Sequence, residues 1–185
     1  FTGHCAYYSY AGCERWRTGC HDCPNKKAYP ASYFLDNSKR NWQDKKALFT
    51  SLPNINIVTP SQWLAEQVQQ SFFQNYPAHV IPNGIDLQVF QPTASDLRAQ
   101  YQIGDKTLLL GVANVWDERK GFSDFLALAP WLDDSFQIVL IGLSEKQQQG
   151  LPANVLGLTR TKDIHELAQW YTAADLLVNT SKEET

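Results

Sequence analysis

Between residues 106 and 179 short apolar runs alternate with helix-period segments, and few folds accommodate that pattern. The runs are "KTLLLGVANV" (106–115), "FQIVLIGLS" (136–144), "ANVLGL" (153–158) and "ADLLVNT" (174–180). A strand that is apolar at successive positions is buried on both faces, as in a parallel sheet. Phe122, Phe125, Leu126 and Ala129 recur at i, i+3, i+4 and i+7 and stop at Pro130, so they predict a helix. Ile164, Leu167, Ala168 and Tyr171 predict another. Such alternation predicts a doubly wound α/β sheet, which binds ligands at the carboxyl ends of its strands.

The pattern extends upstream. "INIVTP" reads as a short buried strand, and Thr59, Pro60 and Gln62 fit a capping box with proline at the first helical position. Leu64, Val68 and Phe72 then mark one apolar helical face. "AHVIPNGID" is a second strand closed by an Asn83-Gly84 turn, and a short helix is expected around Ser95–Tyr101. "QVFQPTAS", with the hinge at Asp86 to Pro92, is the expected linker between two sheets.

All four cysteines fall at the start of the chain: Cys5, Cys13, Cys20 and Cys23. Three chemistries fit them. Four thiolates hold a structural Zn²⁺, and Cys20-x2-Cys23 supplies one pair from a tight turn, with His4 and His21 as substitutes. Disulfides need an oxidising compartment, and no export signal is visible. The third possibility is reduced, partly buried thiols. Residues 24–50 mix basic and aromatic side chains; Lys39, Arg40, Lys45 and Lys46 face either an anionic surface or solvent along an amphipathic helix ending at Leu48 and Phe49.

"NVWDERKG" (114–121) places Arg119 and Lys120 between a buried strand and a helix start. Cations there oppose the helix dipole, by about 0.3–1 kcal/mol, and a bound anion would compensate. Gly111 and Gly121 would let the backbone approach a ligand closely. Asp117 and Glu118 are the alternative, local partners. No G-x-x-x-x-G-K-[ST] or G-x-G-x-x-G occurs, which argues against a P-loop ATPase and a dinucleotide dehydrogenase.

Composition closes other classes. A net charge of -3 gives no footprint for nucleic acid, and no apolar run reaches the ~20 residues of a membrane span. The chain has no methionine, and "SKEET" stops where the alternation would continue with a helix. It therefore reads as an internal piece of a longer protein, or else as an engineered or processed chain.

"VTPSQWLAEQV", "VIPNGIDLQVF", "GVANVWDERKGFSDFL", "VLIGL" and "ELAQWYTAADLLVNTSKEET", in this order, resemble bacterial retaining glycosyltransferases of family 4, with the GT-B fold. The opening "FTGHCAYYSYAGCERWRTGCHDCP" resembles a cysteine-containing subset of exopolysaccharide and colanic-acid type transferases. The likeness covers essentially the whole chain and implies parts of two Rossmann-like doubly wound domains. Residues 1–88 would be the later part of an acceptor-binding domain, and 89–185 the first part of a nucleotide-sugar donor domain. A hexosyltransferase of this kind moves a sugar from a nucleoside diphosphate to a saccharide or lipid-linked acceptor, with retention and without a catalytic metal. It would work in the cytoplasm, peripherally at the inner membrane face, in cell-surface polysaccharide synthesis.

By this resemblance Lys120 contacts the donor diphosphate with Arg119 and Gly121 beside it. Asn114 stands where relatives commonly carry an arginine. Leu158, Thr159 and Arg160 would hold the base, and Glu184 would contact the donor sugar as the first glutamate of an E-x7-E motif. The acceptor-site histidine of relatives would lie upstream of "FTGHC", so the resemblance implies that this piece by itself would not be a competent enzyme. Two other classes share these features: a GT-B nucleotide-sugar epimerase, and a non-catalytic nucleotide- or zinc-binding module.

Overall fold

The computed structural model describes residues 13–27 and 31–182. The chain divides into two compact units, one ending at Gly84 and the other beginning at Ile85. Asp86–Pro92 thus lies on the side of the second unit.

In the first unit, helix α1 spans Ser38–Thr50, and a βαβ segment follows: β1 (Ile57–Thr59), α2 (Gln62–Gln69) and β2 (Ala78–Val80). β1 and β2 pair in parallel, with Thr59 opposite Val80. The expected capping box is displaced. Thr59 is held in the β1 ladder, where its carbonyl accepts the Ile81 N–H (2.9 Å), so it cannot also begin a helix. Ser61 caps α2 instead, its hydroxyl accepting the Leu64 N–H at 3.2 Å. Trp42 of α1 is buried, donates its indole N–H to the Trp16 carbonyl (2.7 Å) and meets Phe72 edge-on (5.5 Å). These contacts hold the cysteine-bearing loop to the helix. Lys46 lies over the Trp42 ring (5.3 Å), whereas Leu48 is largely exposed.

The second unit runs α3 (Leu97–Gln100), β3 (Thr107–Val112), α4 (Phe122–Leu128), β4 (Phe136–Ile141), α5 (Glu145–Gln148), β5 (Val155–Leu158), α6 (Ile164–Ala173) and β6 (Leu176–Leu177). The strands form one parallel sheet in the order β5-β4-β3-β6. Successive side chains point to opposite faces, and both faces are covered. Leu109, Ile138 and Leu140 pack with Phe125 of α4 on one side; Leu108, Leu110, Val139 and Ile141 pack with Leu97 and Trp170 on the other. Full burial of each such side chain stabilises the fold by about 1.5–3 kcal/mol.

Two expectations about this unit change. α6 buries Trp170 and Ala168, while Ile164 and Tyr171 are exposed. The indole, tilted 50° against the Tyr101 ring at 5.1 Å, carries the largest apolar area on the helix and decides which side faces the sheet. Gly111 is not an approach point for a ligand either. A Cβ there would lie 2.8 Å from both Leu140 and Phe125 side-chain atoms, so the missing side chain lets α4 close onto the sheet.

Candidate functional site

The strand order locates the site. The chain adds β4 and β5 on one side of β3, then crosses back to place β6 on the other. Connections therefore diverge at the carboxyl ends of β3 and β6, where a crevice opens in sheets of this kind. A cleft of about 150 Å³ occupies that position, bounded by Val112 and Ala113 after β3, by Trp116 and Lys120, and by Asn179, Thr180 and Ser181 after β6.

Each wall has a local cause. Trp116 is buried and donates its indole N–H to the Ile141 carbonyl (2.9 Å), while its own carbonyl accepts from Gln147 (2.8 Å). The turn that follows is tied by Asp117, whose carboxylate accepts the Lys120 N–H (2.9 Å). The segment after β6 closes over this turn: Thr180 donates to the Lys120 carbonyl (2.9 Å), and the Lys182 N–H donates to the Arg119 carbonyl (2.9 Å). Lys182 also pairs with Glu118 (2.7 Å), and that hydrogen bond, with the lysine charge, holds the Glu118 carboxyl below its ordinary range. The Lys120 ammonium is thereby directed along the cleft, 3.4 Å from the Ser181 hydroxyl.

The basic pair thus separates. Lys120 lines the cleft, while Arg119 faces Asp117 at 3.8 Å and does not. The unfavourable placement of two cations is answered partly within the chain by Asp117, whereas Glu118 pairs with Lys182, and the helix that follows is short. Gly121 takes a left-handed conformation (φ 73°) as the N-cap of α4, and Thr180 fills the space beside it. Its role here is packing, not close approach to a ligand. Asn114 is exposed at the end of β3, outside the cleft lining. Leu158, Thr159 and Arg160 lie at the carboxyl end of β5, on the same edge of the sheet but with β4 between them and β3. Glu184 lies outside the described residues. Sequence reasoning missed Trp116, Asn179, Thr180 and Ser181; the signal was "VNTS" leaving a strand at the switch point.

A larger groove of about 650 Å³ adjoins the cleft through Tyr171 and Leu177 and is otherwise lined mainly by Ile85, Phe90, Leu167 and Ala168. Among its described lining residues Tyr171 is ionisable, and burial pushes its phenol pKa up. Among the described residues no helix is long and apolar enough to cross a membrane.

Cys13, Cys20 and Cys23 are half-buried and form no disulfide. Burial pushes the Cys23 thiol up, the Asn25 backbone N–H opposes this, and the nearby Asp36 and Cys13 add to the rise, so Cys23 is no activated nucleophile. Among the described residues no group of three or more His, Cys, Asp or Glu side chains is arranged to hold a metal; Cys5 and His4 lie outside them.

No protein-family model matches the chain. It is 33% identical over 88 residues to a protein named as a colanic acid biosynthesis glycosyl transferase, WcaC, of Escherichia coli (strain K12), covering 46% of this chain and 21% of that protein. It is 33% identical over 116 residues to a protein named as a glycosyltransferase, EpsF, of Bacillus subtilis (strain 168), covering 55% and 30%. The chain therefore spans less than a third of either relative. Among solved structures it is similar to the sucrose-phosphate synthase of Thermosynechococcus elongatus (TM-score 0.63, 22% identity, 83% of this chain and 41% of that one). It is also similar to Anabaena HepE in complex with UDP and glucose (TM-score 0.58, 18% identity, 78% and 42%). The fold is α/β of the GT-B type.

Proposed function

We propose that the chain is part of a retaining glycosyltransferase that moves a hexosyl unit from a nucleoside diphosphate sugar to a saccharide or lipid-linked saccharide during cell-surface polysaccharide synthesis. The observation that carries this reading is the Lys120 ammonium in the cleft at the β3–β6 switch point. The names of the two relatives and the UDP bound to HepE support the same direction. The second unit is the donor side and the first the acceptor side. The basic residues of α1, Lys39, Arg40, Lys45 and Lys46, suit an anionic membrane surface at which a lipid-linked acceptor is presented.

In the reaction the bond from the anomeric carbon to the β-phosphate oxygen breaks, and its electron pair stays on the diphosphate. The acceptor hydroxyl oxygen forms the new bond on the same face of the sugar and releases its proton. Negative charge grows on the departing diphosphate. A cation fixed beforehand in a cleft stabilises that charge more in the transition state than in the ground state. Lys120 takes this role. Ser181 and Thr180 hold the lysine and its turn, Arg160 and its neighbours receive the base, and Glu184 the sugar. No metal takes part in the chemistry.

Calorimetric titration with UDP and with GDP tests the reading. One of them should bind the wild-type chain and bind Lys120→Ala at least tenfold more weakly. Binding of neither, or equal binding by both proteins, overturns it.

A further inference from the structure

The turn that leads into α1 carries its apolar side chains on the outside. Tyr33, Phe34 and Leu35 are consecutive and are 71%, 91% and 67% exposed. Phe34 is the most exposed large apolar side chain among the described residues. The backbone beneath these three is braced at both ends. The Ser32 N–H donates to the Lys26 carbonyl (2.7 Å), and the Ser32 hydroxyl donates to the Leu35 carbonyl (2.5 Å). The Asp36 carboxylate accepts the N–H groups of Cys23 (2.7 Å) and Ser38 (2.9 Å). The apolar tip therefore projects from a base shared by the segment Cys23–Lys26 and the first turn of α1.

Cations flank that base on both sides. Residues 24–50 hold six, Lys26, Lys27, Lys39, Arg40, Lys45 and Lys46, against two carboxylates, Asp36 and Asp44, a net charge of +4 in a chain whose total is -3. Lys27 and Lys39 are exposed, and the Arg40–Asp44 pair is exposed and 3.6 Å apart, so an outside anion competes for the guanidinium. An exposed apolar patch marks a contact with protein or with membrane. A protein contact fits poorly: at roughly 150–250 Å² per aromatic side chain, three residues fall short of the ~800 Å² per partner of a standard interface. Lysine is also depleted from such interfaces. An apolar tip ringed by lysine and arginine matches the interface of an anionic bilayer, where phenylalanine and leucine enter the acyl boundary and the cations stay among the headgroups.

We propose that Tyr33, Phe34 and Leu35 form a wedge that inserts into an anionic lipid surface, with Lys26, Lys27, Lys39 and Arg40 meeting lipid phosphates around it. The proposal rests on the membrane-facing reading of α1 given above and names the residues that enter the lipid. Charge alone would hold the protein loosely and release it in salt. The inserted side chains add a contribution that salt does not screen, and the braced turn presents them without a further ordering cost.

Sedimentation of the full chain with vesicles tests this. It should bind vesicles of equal parts phosphatidylcholine and phosphatidylglycerol, and bind phosphatidylcholine alone much more weakly. Phe34→Ser should weaken the binding about tenfold, the equivalent of one buried aromatic side chain. The double variant Lys27→Gln/Lys39→Gln should weaken it about twentyfold at low salt. All three positions are exposed, so the melting curves should match that of the wild type. No binding to the anionic vesicles overturns the proposal, as does equal binding to both kinds. Wild-type binding by Phe34→Ser overturns it too, since the tip would then stay outside the lipid. So does a wild-type dimer that Phe34→Ser converts to monomer, which would make the tip a contact between copies of the chain. The UDP and GDP titrations are run without vesicles, so loss of nucleotide binding counts against the donor site alone and loss of vesicle binding against the wedge alone.

Discussion

Thr180 fills the space that a side chain at Gly121 would need: a Cβ there would lie 2.6 Å from both the Cβ and the carbonyl oxygen of Thr180. The contact joins the turn before α4 to the segment after β6, and so sets the width of the cleft that Lys120 enters. Gly121→Ala would have to move Thr180 and hold a non-glycine residue at φ 73°, the latter alone costing about 1–2 kcal/mol. At about 2–4 °C per kcal/mol for a chain of this size, the melting temperature should fall by several degrees. Nucleotide affinity should fall with it. An unchanged melting curve would show that the strap yields freely.

Lys120 and Arg119 should part company in function. Lys120→Ala removes the cation in the cleft, and a catalytic electrostatic contact is worth ~2.7–4 kcal/mol, so kcat/KM in the complete protein should drop about a hundredfold to a thousandfold. Arg119 faces Asp117 and lies outside the lining, so Arg119→Ala should cost less than tenfold. Steady-state kinetics of the two variants checks this; a larger loss from Arg119 would mean that it swings into the cleft when donor binds.

Arg98 ties α3 to the segments that flank β3 and β6. Its guanidinium makes five hydrogen bonds, two to the Ala173 carbonyl and one each to those of Gly104, Lys106 and the Asp175 carboxylate. Asp175 in turn accepts the Leu108 N–H at 2.7 Å, pinning β6 to β3 at the amino end of the strands. Lysine has three donors and no planar fork. Arg98→Lys should therefore destabilise the chain by about 1–3 kcal/mol in denaturant titration, while nucleotide affinity at the opposite end of the sheet stays the same.

Asp36 gives the cysteine loop an acid dependence. Hydrogen bonds from the Ser38 side chain and from the N–H groups of Cys23 and Ser38 lower its pKa to about 2. A carboxyl depressed in the folded state contributes stability that is complete above its unfolded value, near 3.9, and lost as pH falls through the folded one. Melting temperature should thus decline between about pH 4 and pH 2 through this group, and Asp36→Asn should flatten that part of the curve. A parallel decline in both proteins would assign the acid sensitivity to other carboxyls.

The sheet was legible from local pattern because burial on both faces leaves a continuous apolar run, and "LLL" and "IVLI" admit no other strand environment. Lys120 was legible for a similar reason: a lysine after such a strand stands out in a chain of low charge. Thr59 misled because its local signal was real but outweighed by a strand ladder, whereas Ile164 and Tyr171 marked a helix that is present, and the bulk of Trp170 decided which of its sides is buried.

What the sequence determined by itself was therefore the order of elements, the doubly wound class and the position of a cation at a strand end. What the tertiary structure decided was which groups that cation meets. Asn179, Thr180 and Ser181 are some sixty residues from Lys120 in the chain. They reach it because β6 pairs with β3 rather than extending the sheet beyond β5. Strand order depends on the free energy of covering whole faces, a non-local quantity that no short segment encodes. The same long-range packing makes Gly121 a contact for Thr180 and turns Arg119 toward Asp117, away from the cleft.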